Sequence, residues 1–229
     1  MSSICESCNT DKEYENIGTH WYYSPSHRPE ITETQHEIIT GLVMGDGCVE
    51  KRGDNSNLRV SMINKKYLDY LDNLFGPLSH GVTKSKTIEQ AAENSIVENA
   101  DPENYNELYE FRTTVHPELN RYNEWYESGK KVWNLEQITP TILKHFYVCD
   151  GSLKQKGSIT IAMSNEIDRR DEFEHLIEEA GIPSPSNWNI YERKVYGGKH
   201  CKAQWTKEQT KLLFEYMGDA PTGFERKWL

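Results

Sequence analysis

Two aspartates, Asp46 and Asp150, each close an apolar run and stand directly before a glycine. The first run is Ile38 to Glu50 (IITGLVMGDGCVE), and the second is Leu143 to Leu153 (LKHFYVCDGSL). Apolar runs of this kind predict helices, and an acid at a helix C-terminus opposes the negative end of the macrodipole. A cation relieves that conflict, which makes the two acids candidates for cation-assisted chemistry. In the first run Gly41 and Gly45 lie about one turn apart, a face on which two helix backbones can approach closely. Taken alone, that run also fits a buried helix ending in an ordinary Asp-Gly turn.

The two runs are roughly 100 residues apart, the size of a small domain, and the segments downstream of them are alike. LRVSMINKKYLDYLDNLF (Leu58 to Phe75) reads as a strand then a helix, and so does SITIAMSNEIDRRDEFEHLIEEAG (Ser158 to Gly181). Asn64 and Asn165 hold the same strand-to-helix junction, where each is also suited to be a helix N-cap. Near the end of each half a basic pair precedes Trp: Lys130-Lys131-Val132-Trp133 and Arg226-Lys227-Trp228. Acid, Asn and Lys recur in the same order at nearly the same offset, which points to a duplication.

These residues are where the chain resembles single-chain LAGLIDADG homing endonucleases. Ile39 to Gly47 (ITGLVMGDG) and Leu143 to Gly151 (LKHFYVCDG) stand as two copies of the motif, and the likeness runs from Glu37 to Trp228. It implies an α+β fold of two pseudo-symmetric αββαββα repeats packed through the motif helices. Their antiparallel sheets would form a saddle for double-stranded DNA. It further implies a monomer that makes a double-strand break in a long asymmetric site by Mg²⁺-dependent phosphodiester hydrolysis. Two or three Mg²⁺ ions would be held by Asp46, Asp150 and the carbonyls of Gly45 and Cys149. By the same resemblance, Asn64 and Asn165 would order water, and Lys131 and Lys227 would offset charge at the scissile phosphates. Arg59, Lys84, Arg112, Lys154, Arg193 and Lys199 are the strand-face and turn candidates for DNA contact.

The second motif departs from the pattern: Lys144, His145 and Cys149 stand where small residues are usual. His145 is read as a packed core histidine rather than a partner of the site. Two other readings share the fold, a maturase acting on intron RNA and a DNA-binding regulator without catalysis. Retention of both acids argues against the regulator. A purely structural protein would leave the matched Asn and Lys unexplained.

Composition bounds these readings. The chain has 229 residues, 36% of them hydrophobic, with a mean hydropathy of −0.80, polar but globular. No apolar run of about 18 residues and no signal-peptide-like start are present, so a soluble, intracellular, cytoplasmic protein is expected. Five scattered cysteines do not form a disulfide framework. The net charge of −10 is the wrong sign for an ordinary nucleic-acid binder. The acids, however, concentrate in Glu89 to Glu107 and on the outer face of a helix holding Glu172, Glu174, Glu178 and Glu179. Basic residues gather on strands and turns. An acidic shell with a basic face also suits a host with high internal salt.

The expected organisation is an extension over 1–35, a first repeat over 36–137 and a second over 138–229. In the extension Cys5-x-x-Cys8 precedes His20 and His27, a zinc-like set. The histidine spacing is wider than usual, so a disordered or loosely docked segment is the expectation and zinc is not. The first motif helix should start at Glu33 or Thr34 and stop at Gly47. Strands are expected over Leu58–Ile63, Val82–Ile88 and Leu108–Val115, with a closing helix from Pro117 to Gly129. In the second half Thr139-Pro140 opens the motif helix, Gly197-Gly198 joins a hairpin, and Thr206 caps the last helix.

Overall fold

A computed structural model describes residues 3–8, 12–15, 17–95, 101–127, 130–192 and 198–228. The N-terminal extension is docked on the body rather than loose. A short pair, β1 (Ser3–Ile4) and β2 (Glu13–Tyr14), leads into α1 (Ile17–Tyr23). Ile17, Trp21 and Ile31 join the common core, while Tyr22 and Tyr23 stay exposed. The segment was expected to be disordered or loosely docked, but burial of three large apolar side chains is worth several kcal/mol, roughly 2 for each.

The first half begins with α2 (Glu33–Met44), opened by a capping box between Thr32 and Gln35. The helix ends at Met44 because Gly45 leaves helical geometry at φ −102° and ψ −126°. Next come β3 (Cys48–Arg52), β4 (Asn55–Met62), α3 (Lys65–Phe75), β5 (Ser79–Lys86), α4 (Ile88–Glu93) and β6 (Leu108–Thr113). The strands form an antiparallel sheet in the order β3-β4-β6-β5. Alternation sets its faces: Leu58, Val60 and Phe111 enter the core, and Arg59 and Arg112 stand opposite each other on the outer side. The strand expected to reach Ile88 stops at Lys86, because Thr87 and Gln90 form a capping box that starts α4. The closing helix expected from Pro117 is instead a 3-10 run, Pro117–Trp125. Its buried Leu119, Tyr122 and Trp125 repeat every third residue, the period of that helix. A short hairpin of β7 (Tyr126–Glu127) and β8 (Lys130–Lys131) comes next; Gly129 lies outside the described residues.

The second half repeats this plan. It comprises α5 (Pro140–Asp150), β9 (Gly151–Leu153), β10 (Ile159–Ala162), α6 (Arg170–Glu179), β11 (Asn187–Glu192), β12 (Lys199–Trp205) and α7 (Lys207–Met217). Thr139 caps α5 with Pro140 in its first turn, and Thr206 caps α7 through a capping box with Gln209. The sheet order β9-β10-β12-β11 matches β3-β4-β6-β5 strand for strand. Gly197 lies outside the described residues; Gly198 has φ +78°, as a tight hairpin turn requires. The structure is thus the expected α+β pair of pseudo-symmetric repeats, with its two four-stranded antiparallel sheets.

The halves meet where α2 packs along α5. A Cβ added to Gly41 would overlap the Ile142 carbonyl oxygen and come within 2.8 Å of His145 Cβ. One added to Gly45 would strike Cys149 and come within 2.8 Å of Asp150 Oδ2. His145 and Cys149 hold the places in α5 that Gly41 and Gly45 hold in α2. One helix therefore supplies the space and the other the bulk, which explains the large residues in the second motif. His145 is 2% exposed, and its Nδ1 hydrogen-bonds the Tyr67 hydroxyl of α3. Burial pushes its imidazole down to about 3, so it packs as a neutral core histidine. Gly41→Ala is expected to cost about 1–3 kcal/mol in denaturant unfolding, since the opposing backbone oxygen has nowhere to go.

Candidate active site

The α2–α5 packing brings Asp46 and Asp150 to one cleft of ≈340 Å³, lined also by Lys131, Ser164, Asn165 and Glu166. Asp46 lies at the solvent-facing side of the cleft with protein crowding its carboxylate, and Asp150 is half-buried against Gly45. Each helix end is gripped by one lysine. Lys131 Nζ donates to the Gly45 carbonyl and, at 2.6 Å, to that of Gly47. Lys227 Nζ donates to the carbonyls of Val148 and Gly151, both at 2.8 Å. Ammonium groups satisfy the orphan carbonyls of a helix C-terminus and offset its dipole. The β7–β8 hairpin aims Lys131: Val132 N donates to Trp125 O at 2.6 Å, and Tyr126 Oη accepts from Val49 N at 2.9 Å. Lys227 is aimed by Trp228, stacked on Phe214, and by the Tyr147 hydroxyl, which donates to Lys227 O at 3.0 Å.

The acids crowd one another. Burial, then the charges of Asp46 and Glu166, push Asp150 up to about 7. Burial likewise pushes Glu166 to about 7, and Asp46 is raised by loss of water against the pull of Lys131 and Lys227. Glu166 is a site residue that sequence reasoning missed. Its counterpart after Asn64 is Lys65, exposed and paired with Asp69 at 2.6 Å, so the repeat gave no signal for an acid there. Only its burial, at 4% exposed, singles it out. The two asparagines also part company. Asn165 lines the cleft, whereas Asn64 caps α3 through Tyr67 N and donates to Gly223 O at 2.6 Å. The cleft therefore gathers Asp46, Asp150, Lys131, Asn165 and the Gly45 carbonyl. Lys227 holds the α5 end, Cys149 packs its side chain on Gly45, and Asn64 is taken by capping.

The model of the LAGLIDADG DNA endonuclease family matches residues 36–179, a span that holds both acids and both motif helices. The chain belongs to the LAGLIDADG DNA endonuclease family. An uncharacterised protein of Methanocaldococcus jannaschii is 26% identical over 176 residues, which is 72% of this chain and 63% of the relative. The chain thus matches less than two thirds of that relative's length. Among solved structures, the homing endonuclease I-WcaI bound to its DNA recognition sequence aligns with a TM-score of 0.66 and 14% identity, covering 93% of this chain and 92% of that one. I-DmoI in complex with DNA and Ca aligns with a TM-score of 0.46 and 15% identity, over 83% and 92% of the two chains. The I-WcaI alignment shows that the LAGLIDADG fold extends across both halves of this chain.

On the outer face of the first LAGLIDADG sheet, Arg59 and Arg112 are held by carboxylates. Glu50 meets Arg59 at 2.9 Å, Arg52 at 2.6 Å and Arg112 at 3.5 Å, and Glu110 meets Arg112 at 2.5 Å. Lys84 stands opposite Tyr109, so the register turns it away from that face, and it pairs with Glu107 at 2.5 Å. The second sheet presents amides and rings instead. Asn187 Nδ2 donates to Asn189 Oδ1 at 2.9 Å, Asn189 Nδ2 donates to Gln204 Oε1 at 2.8 Å, and Tyr191 stacks on His200. Alternation puts Lys202 on that face and Lys199 on the side of buried Cys201, at the hairpin end. Lys154 is exposed in the turn after β9, and Arg193 lies outside the described residues. Among the described residues no helix is long and apolar enough to cross a membrane.

The raised Asp150 gives a pH test. Its folded value of about 7 exceeds the ordinary 3.8, so the stability it contributes is present below about 4 and lost as pH rises through 7. Thermal unfolding in chelator should show a transition midpoint that falls over that window. Asp150→Asn should weaken the dependence, leaving the share that Glu166 contributes over the same window, and raise the midpoint at pH 8.

Proposed function

We propose that this LAGLIDADG chain is a site-specific DNA endonuclease that hydrolyses both strands of a long asymmetric duplex, acting as a monomer with a divalent cation, Mg²⁺. The observation that carries the reading is the convergence of Asp46 and Asp150, from equivalent helix ends, in one cleft with a lysine gripping each end. The repeats over 36–137 and 138–229 would each read one half of the target with one sheet, laid in the major groove. Their outer faces differ, arginines and carboxylates against amides and rings, which supports an asymmetric site.

Asp46, Asp150 and the carbonyls of Gly45 and Cys149 make an all-oxygen donor set of the kind a hard divalent cation takes. The Gly45 carbonyl already faces a cation, the Lys131 ammonium. When bound, Mg²⁺ supplies charge stabilisation for attack by water and for departure of the 3′ oxygen. Lys131 and Lys227 hold positive charge beside the places where scissile phosphates would lie, opposing the negative charge that develops there. Asn165 offers an amide to order water in the cleft. Glu166 adds a third carboxylate to the second half alone, so the two half-sites are chemically unequal.

Incubating the chain with a randomised long duplex library and Mg²⁺ should yield discrete double-strand cuts. Asp46→Asn and Asp150→Asn should each lower that cutting by about 10²-fold or more. Enrichment of bound duplexes without cutting would leave binding as the function. On the selected duplex, Glu50→Gln should tighten binding about 3- to 10-fold at low salt and steepen its salt dependence, by releasing guanidinium groups to phosphates.

A further inference from the structure

A second cluster of ligand-type side chains lies in the N-terminal extension. Cys5 and Cys8 bracket the turn Glu6–Cys8 between β1 and β2, closed by Cys8 N donating to Cys5 O at 3.0 Å. His20 sits on α1, and His27 ends the 3-10 turn Pro25–His27. Their four ligand atoms all lie within 4.8 Å of one another. Cys8 Sγ is 3.2 Å from His27 Nδ1 and 3.3 Å from His20 Nε2. The two histidine nitrogens are 3.3 Å apart, and Cys5 Sγ is 3.9 Å from His27 Nδ1. A tetrahedral zinc ion with sulfur at about 2.3 Å and nitrogen at about 2.0 Å has ligand-to-ligand edges of roughly 3.3 to 3.8 Å. Four of the six separations, 3.2 to 3.9 Å, lie close to those edges, and all six lie within 4.8 Å.

We propose that Cys5, Cys8, His20 and His27 bind one zinc ion in a closed structural site. The wide histidine spacing argued against such a site in the sequence. In the fold the chain leaves α1 after Tyr23 and turns back through Pro25–His27, which brings His27 onto His20. Both thiols are free, and Cys5 is 2% exposed, a setting that fits a thiolate ligand. Pairwise thiol–imidazole hydrogen bonds would account for two of these groups but not for four that share one centre. Two sulfurs and two nitrogens make a set softer than the oxygen cleft, so it selects zinc over magnesium. Tyr14 supports the ligands, its hydroxyl 3.5 Å from Cys8 Sγ and its ring stacked on His20 at 4.1 Å. Four protein ligands leave no open position, which marks the site as structural.

The ion would pin α1 to the Cys5–Cys8 turn and so hold together the segment whose Trp21 is buried in the common core. Tyr22 and Tyr23 of α1 then form one wall of a cleft of ≈580 Å³ whose other wall holds Arg52, His80 and Arg112. On the endonuclease reading, which this last step alone rests on, the zinc-held module extends the DNA surface of the first half.

The test is metal content of the full chain purified without added metal. About one zinc per chain is expected, lost in Cys5→Ser/Cys8→Ser and kept in the control Cys48→Ser. Cobalt substitution of the native chain should give the intense visible bands of tetrahedral thiolate-bound Co²⁺, displaced by zinc. Sub-stoichiometric zinc with no such bands, or zinc retained in the double variant, would overturn the site. Both readouts are independent of any DNA cleavage, so they stand or fall apart from the proposed activity.

Discussion

The fold depends on how closely two helices can approach. With hydrogen as the only side chain at Gly41 and Gly45, the α2 backbone lies against Ile142, His145 and Cys149 of α5. That contact buries the apolar faces of both motif helices in one core and brings their C-terminal ends side by side. Each end then presents a carboxylate and unpaired carbonyls at the same place. A site so built is negative by construction, from side chains and from backbone dipoles alike. Lys131 and Lys227 answer the carbonyls, while burial, and then the neighbouring carboxylates, lift Asp150 to about 7. Pre-arranged negative charge of this sort suits recruitment of cations together with a phosphate backbone.

Duplication gives the frame, and departures from it give the character. Glycines on one helix are met by histidine and cysteine on the other. Glu166 has a lysine as its counterpart, and an arginine–glutamate lattice on one sheet is met by an amide and ring lattice on the other. Each difference breaks the twofold relation while the strand orders keep it. A duplex read by such a surface need not be palindromic. The net charge of −10, which argued against a nucleic-acid partner, is distributed accordingly. Glu172, Glu178 and Glu179 are exposed on α6, which packs its Phe173, Leu176 and Ile177 into the core.

The repeated acid, the strand alternation and the Thr caps were legible because each depends on local spacing. The sequence therefore carried both motif helices, the alternating strands that follow them and the position of both acids, though not α4 or the 3-10 form of Pro117–Trp125. It did not carry Glu166, whose importance lies in its burial. Nor did it show that Asn64 would be taken by capping and by Gly223, a residue far along the chain. The carboxylates that hold Arg59 and Arg112 were invisible for a related reason: Glu50 and Glu110 come from different strands and meet only through the register. The His20–His27 spacing hid the gathering of the four ligand-type side chains, because linear distance was read without the turn between them. Across these cases, local periodicity was readable and non-local pairing was not.

The central claim is that two half-sites related by the duplication, each completed by its own lysine, serve the two strands. Its most direct test is a strand-resolved cleavage time course on the duplex the chain selects, comparing wild type with Lys131→Met and Lys227→Met. The account predicts that each substitution slows one strand selectively, and that the two substitutions affect opposite strands. Equal slowing of both strands by either substitution, or no effect of either, would contradict it.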